Sequence, residues 1–377
     1  MKLLCIGNGA IAKRGAARLI NRNSADFYAE LAQRFPGVVL TNGMVDFGEL
    51  DTLGDKDLSS IPGLTVDALP WDAGPLPARA LNYVRTIPGV LPRVRRADFL
   101  YIFLPGRLPL IFALAARLLG RPYAVYLRGE ISERDCRLSL PFARFVLAVN
   151  EGMRDVAARF CANTDLIRPM IEYGLDDLVE KRVTRRDPPW RLLFVGRVQE
   201  QKGVADLIDA AGLLRQRNFP FELELVGGPV SSAELEALRK RAERAGLPAA
   251  IFRGVAKDRE TLANFYRQAD VLVLPTHTDG FARVIFEAMV FGLPVLTTFV
   301  GGIPAALSDG VDAIRLPLRD PPGMAAVIQQ VLMDPDLRAR IGAAGTQLIA
   351  RTLRSRPHSH VELFELKLRE FLAARSG

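Results

Sequence analysis

The chain has 377 residues, 49% apolar and 24% charged, which is long enough for two domains with separate cores and too apolar for a disordered chain. A formal charge of +8 points to an anionic partner, yet the excess is spread over both halves and no zinc finger, RNA-binding aromatic motif or basic zipper accompanies it, so nucleic acid is not the expected partner. The three cysteines, Cys5, Cys136 and Cys161, lack C-x-x-C spacing and suit a reducing compartment better than a disulfide framework or metal cluster.

In chain order, residues 2–6 read as a short first strand entering Gly7-Asn8-Gly9-Ala10-Ile11-Ala12, which has the G-x-G-x-x-A spacing of a dinucleotide fingerprint. Lys13, Arg14 and Gly15 follow in place of a helix. The second strand, residues 38–40, ends in Thr41-Asn42-Gly43 without the acid that holds an adenosine ribose, so a nicotinamide or flavin site is not expected. A plain first strand and turn of a Rossmann-like domain is the reading kept, with the next helix capped by Asn23 or Ser24. The cations Lys13, Arg14, Arg18 and Arg22 read as solvated, with a place over a diphosphate or an anionic acceptor as the alternative.

Residues 98–104, 123–127 and 145–149 read as buried strands joined by helical patterns such as 108–119, and this alternation points to a parallel sheet. Ligands bind beyond the carboxyl ends of such strands, which makes Arg128 and Glu130 candidate contacts, an ordinary strand-end ion pair being the alternative. The stretch 99–120 is cut by Pro105, Gly106, Arg107, Pro109 and Arg117, so no spanning helix is expected, and residues 3–6 are too short an apolar core for a secretory signal. The protein is expected in the cytoplasm, at most resting on a membrane surface.

From Tyr173 the pattern breaks into a charged, proline-stiffened run. It is read as a linker, 173–190, between a first domain, 1–172, and a second, 191–355. The helix at 356–377 is free to cross back onto the first domain. Strands at 191–195, 221–228, 251–254, 271–275, 294–300 and 314–316 alternate with helices, which predicts a second doubly wound sheet. Arg197 and Lys202 share one strand-to-helix loop. Asp279 lies on another, built around Gly280, and Glu287 stands two turns into the helix that follows. A helix opening there turns backbone N–H groups and its positive end toward an anionic ligand. The two carboxylates stand at different depths, unsuited to a close acid and base pair, and read as separate hydroxyl grips of the kind a sugar nucleotide needs. Gly301-Gly302-Ile303-Pro304 reads as a further turn, a plain connection before a short helix being the alternative.

Asp279, Gly280, Phe281, Glu287, Ala288, Met289, Gly292, Leu293 and Pro294, taken with Gly196, Arg197, Lys202 and Gly203, resemble the signature of retaining glycosyltransferases of family 4, the glycosyl transferases group 1. The resemblance is firm over residues 190–307 and architectural before that. The family's first acid is usually glutamate, and Asp279 is a methylene shorter. The resemblance implies an α/β chain of GT-B fold, two Rossmann-like doubly wound domains facing across a cleft. The second domain would hold a nucleotide-sugar donor and the first would lie on the acceptor side. It further implies that Arg197 and Lys202 meet the charge of the leaving diphosphate, that Glu287 accepts ribose hydroxyls and that Asp279 accepts hydroxyls of the transferred sugar. Gly196, Gly280, Phe281, Gly301 and Gly302 would surround the donor, and Gly9, Arg128 and Glu130 would be contacts from the first domain. Many relatives place a histidine from that domain near the sugar. With His277, His358 and His360 as the complement, such a contact is expected to be missing here, Arg128 or Glu130 standing in. No acidic pair suited to a divalent ion is evident, so the expected chemistry is metal-independent and without cofactor, the nucleoside-diphosphate sugar being a co-substrate. The function implied is transfer of a sugar, with retention, to a hydroxyl of a glycan or glycolipid acceptor, in surface polysaccharide, lipopolysaccharide or glycolipid synthesis. The alternatives are a GT-B sugar-nucleotide 2-epimerase and a non-catalytic sugar-nucleotide-binding subunit.

Overall fold

The computed structural model describes residues 1–20, 22–46, 56–70, 76–129, 131–229, 231–280 and 282–376. Glu130 and Phe281 lie outside the described residues. The chain divides into two units, Met1–Ile167 with His358–Gly377, and Arg168–Pro357.

The first unit contains strands β1 (Leu3–Arg14), β2 (Ala17–Ile20), β3 (Val38–Asp46), β4 (Lys56–Asp57), β5 (Leu64–Val66), β6 (Leu69–Pro70), β7 (Phe99–Leu104), β8 (Tyr123–Leu127), β9 (Val146–Ala148) and β10 (Thr164–Leu166). Its helices are α1 (Arg22–Arg34), α2 (Leu76–Arg96), α3 (Arg107–Leu118), α4 (Glu133–Ser139) and α5 (Glu151–Ala158). A parallel core runs β3, β1, β7, β8, β9, β10. Every residue of β7 and β8 is buried, as strands covered on both faces require. The strand at residues 2–6 does not end in a turn at Gly7-Asn8-Gly9. It continues to Arg14 through a register shift between Ile6 and Ala10 against β3, and only then reverses into β2. Gly7 permits this because a Cβ there would stand 2.7 Å from the Asn42 amide nitrogen. The fingerprint spacing therefore belongs to a bulged strand, with Gly9 inside β1, and no helix opens on it.

The second unit contains β11 (Trp190–Val195), β12 (Phe221–Val226), β13 (Phe252–Gly254), β14 (Val271–Leu274), β15 (Val295–Thr297) and β16 (Ile314–Arg315), with helices α6 (Val204–Gln216), α7 (Ser232–Arg244), α8 (Arg259–Gln268), α9 (Arg283–Val290), α10 (Pro321–Met333) and α11 (Pro335–Ser355). The sheet order is β13-β12-β11-β14-β15-β16, and every pair is parallel. Counted within the unit this is the order 3-2-1-4-5-6, whose reversal between β11 and β14 leaves a crevice at their carboxyl ends. The charged run before β11 is bound into this unit. Arg182 donates to the carbonyls of Tyr266 at 3.0 Å, Phe291 at 2.9 Å, Arg267 at 3.0 Å and Ala269, and so satisfies helix-end acceptors of α8 and α9. Burial pushes its guanidinium pKa down to about 10.

The last helix, α12 (His360–Ser376), is part of the first unit. Phe364 stacks on Tyr101 at 4.1 Å between centroids, Arg34 pairs with Glu362 at 2.8 Å and Glu365 at 2.7 Å, and Lys367 pairs with Asp165 at 2.7 Å. The chain's return brings His360 to the first unit. His360 is buried, 2.5 Å from the Tyr101 hydroxyl and packed on Tyr126 at 4.2 Å, and burial pulls its pKa down to about 3. It is a core imidazole.

Candidate active site

The two loops that leave β11 and β14 are adjacent because their strands are adjacent. From Val195 the chain passes Gly196 and Arg197, makes a 3-10 turn over Glu200–Lys202, and enters α6 at Gly203. From Leu274 it passes Thr276, His277, Thr278, Asp279 and Gly280 before α9. The backbone N–H of His277 donates to the Gln201 carbonyl at 2.9 Å, tying one loop to the other. Buried threonines hold the loop bases: Thr297 Oγ1 donates to the Leu274 carbonyl at 2.8 Å, and Thr298 Oγ1 donates to that of Thr276.

Gly203 shows how closely the loops are fitted. Its φ is +70°, and a Cβ there would stand 1.9 Å from the Pro275 carbonyl oxygen. A third segment closes in from the end of β15. Gly302 donates its N–H to the Asp279 carbonyl at 2.9 Å, and Gly301, at φ +58°, approaches so closely that a Cβ would come within 2.1 Å of the same oxygen.

Between these loops Lys202 Nζ meets Asp279 Oδ2 at 2.5 Å, with the side chains 18% and 12% exposed. Residues from two separate motifs thus form one ion pair at the crevice. Arg197 lies exposed on the first loop. Glu287 is buried within α9 and accepts a hydrogen bond from the Tyr266 hydroxyl at 2.8 Å. Burial pushes its pKa up, while the Tyr266 hydroxyl and the Arg283 guanidinium pull it back. Tyr266→Phe, which keeps the ring stacked on Phe291 at 5.5 Å, is expected to destabilise the second unit by roughly 1 to 2 kcal/mol, the scale of one lost bond to a buried carboxyl group. Denaturant midpoints measure this, and wild-type stability would show that the hydroxyl does not hold Glu287.

The helix openings at the crevice differ from the others in this unit. α7, α8, α10 and α11 are capped by the side chains of Ser231, Asp258, Asp320 and Asp334. α6 and α9 begin at Gly203 and Ala282, with no side-chain cap and, for α9, no acid in the first turn. Their first N–H groups and positive ends favour an anion, although Asp206 sits in the first turn of α6.

Gly196, Arg197, Lys202, Asp279, Gly280, Glu287, Gly301 and Gly302 thus lie on neighbouring segments of the second unit, whereas Gly9 in β1 and Arg128 after β8 belong to the first. Sequence reasoning passed over two partnerships. One is Tyr266 with Glu287. The other is His277, whose Nε2 lies 2.6 Å from Asp206 Oδ2 on the first turn of α6. The position of His277 within the signature loop was the available signal for the latter.

A family model described as glycosyl transferases group 1 matches residues 189–334. The chain is 38% identical over 161 residues to a D-inositol 3-phosphate glycosyltransferase of Streptomyces scabiei, covering 40% of this chain and 35% of that protein. It is 34% identical over 197 residues to the D-inositol 3-phosphate glycosyltransferase of Thermomonospora curvata, covering 50% and 45%. The aligned stretch spans less than half the length of these relatives. Among solved structures, that of Anabaena HepE in complex with UDP-glucose superposes with a TM-score of 0.65 at 18% identity over 99% of this chain and 100% of that one. WaaG, a glycosyltransferase involved in lipopolysaccharide biosynthesis, does so with 0.58 at 16% identity over 96% of each. The second unit, over residues 189–334, is thus a glycosyl transferases group 1 domain, and the chain that carries it has the GT-B fold.

Proposed function

We propose that the protein is a retaining glycosyltransferase that moves a sugar from a nucleoside diphosphate to a hydroxyl of a glycan or glycolipid. The observation that carries this reading is the Lys202–Asp279 pair at the crevice between two helix openings that lack side-chain caps. In the resting protein each charge neutralises the other. A bound donor would set its diphosphate against Lys202, Arg197 and the α6 and α9 N–H groups, and would release Asp279 to accept sugar hydroxyls. Glu287, held by Tyr266, would accept from the ribose. As the anomeric bond to the diphosphate breaks, the lysine and the helix ends meet the charge that develops on it. The acceptor oxygen bonds to the anomeric carbon from the same face, and its proton passes to the leaving diphosphate. Gly9 and Arg128, in the first unit, remain candidate substrate contacts. Synthesis of surface polysaccharide, lipopolysaccharide or glycolipid on the cytoplasmic side of a membrane is the setting this chemistry suits. HepE holds UDP-glucose, which makes it the first donor to try.

The test is release of nucleoside diphosphate from a panel of donor sugars with and without acceptor. Release with retained configuration supports the reading, a changed sugar without release indicates an epimerase, and binding alone indicates a non-catalytic subunit. Turnover is expected to persist in chelator, because side chains and helix ends meet the diphosphate charge. Loss in chelator with specific restoration by magnesium or manganese would overturn that part.

Asp279→Asn keeps the shape and removes the charge, and is expected to cost roughly 1 to 3 kcal/mol in kcat/KM with affinity for nucleoside diphosphate intact. Wild-type turnover would remove Asp279 from the sugar site.

A further inference from the structure

The solvent face of α3 departs from the usual composition of a surface helix. Its inner face buries Leu108, Phe112, Ala113, Ala115 and Ala116 against the first unit. Its outer face, at helical spacing, presents Arg107, Leu114, Arg117 and Leu118 with the half-exposed Leu110 and Ile111, and Arg121 follows just beyond the end of the helix. Leu118 is 79% exposed and Leu114 36%, and no Asp or Glu occurs anywhere from residue 99 to residue 129. Phe142, itself 42% exposed, extends the patch, with the Arg117 guanidinium 3.8 Å from its ring centroid. Arg121 donates to the Arg95 carbonyl at 2.6 Å, which brings it to the end of α2, where Arg95 and Arg96 are exposed. Among the described residues no carboxylate pairs with Arg95, Arg96, Arg117 or Arg121.

We propose that this face docks the first unit on an anionic lipid bilayer. Leucines ringed by arginines suit a membrane interface, where the apolar side chains enter the headgroup boundary and the guanidiniums reach lipid phosphates along their apolar stems. At 12 residues the helix rises about 18 Å, against a hydrocarbon core of about 30 Å, so it lies on the bilayer and does not cross it. A second copy of the chain fits the patch less well, because a two-fold contact would bring like guanidiniums face to face. The proposal rests on the transferase reading only in placing a lipid-borne acceptor near this surface.

The test is co-sedimentation of the full chain, without any nucleotide sugar, with vesicles of phosphatidylcholine alone or mixed with phosphatidylglycerol. Binding is expected to the mixed vesicles only, to weaken with salt, and to drop about fivefold for each of Arg117→Gln and Arg121→Gln. Leu118→Asp, at a position 79% exposed, should leave the thermal midpoint little changed and abolish sedimentation. The proposal is overturned if the wild type stays in the supernatant with mixed vesicles, or if Leu118→Asp binds as well as wild type. It is equally overturned if light scattering shows a concentration-dependent dimer that Leu118→Asp dissolves. Any of these outcomes leaves the nucleoside diphosphate release measurement untouched.

Discussion

Lys202→Ala is expected to slow sugar transfer by roughly 2 to 4 kcal/mol of lost transition-state stabilisation, the scale of a single donor aimed at developing charge. On the proposed reading the leaving diphosphate gains charge as the anomeric bond breaks, and the ammonium stands on the loop that enters α6, paired with the loop that enters α9. The variant also strands Asp279, which is only 12% exposed, without its counter-charge. A double variant, Lys202→Ala with Asp279→Asn, removes that lone charge, and compared with Asp279→Asn alone it separates the two effects. Slow turnover in a protein that melts as the wild type does places the loss in the chemistry. Recovered turnover in the double variant would assign the loss to the stranded carboxylate, and unchanged turnover in the single variant would remove Lys202 from the mechanism.

Gly203→Ala should destabilise the second unit by about 2 to 5 kcal/mol, adding the cost of a left-handed non-glycine residue to that of overpacking. The added methyl would have to enter space occupied by the Pro275 carbonyl, 1.9 Å away, so the loops carrying Lys202 and Asp279 must part. Gly310 is the control: its φ is +73° but nothing lies within 4 Å of its Cβ direction, so Gly310→Ala should cost only about 1 to 2 kcal/mol. Denaturant midpoints measure both. Equal costs would mean that backbone conformation alone, and not the approach of Pro275, fixes glycine at residue 203.

The strands of the second sheet were legible because parallel strands covered on both faces carry continuous apolar runs, and β11 and β14 are such runs. The residues at their ends were legible for the same reason, since a loop that follows a buried strand and opens a helix has a defined place in an α/β sheet. What the sequence does not write is strand order. Lys202 and Asp279 read as parts of two motifs, and only the adjacency of β11 and β14 makes them one ion pair. Contacts between distant helices are equally silent: Tyr266 to Glu287 spans 21 residues and His277 to Asp206 spans 71. The first unit misled at Gly7-Asn8-Gly9 because spacing that suits a turn also suits a bulged strand. The partner strand β3, which decides between them, lies some thirty residues on, at Val38–Asp46. His360 escaped because its place in the first unit depends on where α12 packs.

The close approaches of Gly203 to Pro275 and of Gly301 to Asp279 also bear on how the site can diversify. Three backbone segments gauge one another there, so a change in the path of any one is transmitted to the other two. On the proposed reading, new donor preferences in descendants of this chain should therefore arise through side-chain exchanges that leave these three backbone paths intact, and through length changes in connections remote from these contacts. Libraries that randomise the three loops independently should return mostly insoluble protein, while libraries confined to outward side chains should return mostly folded variants.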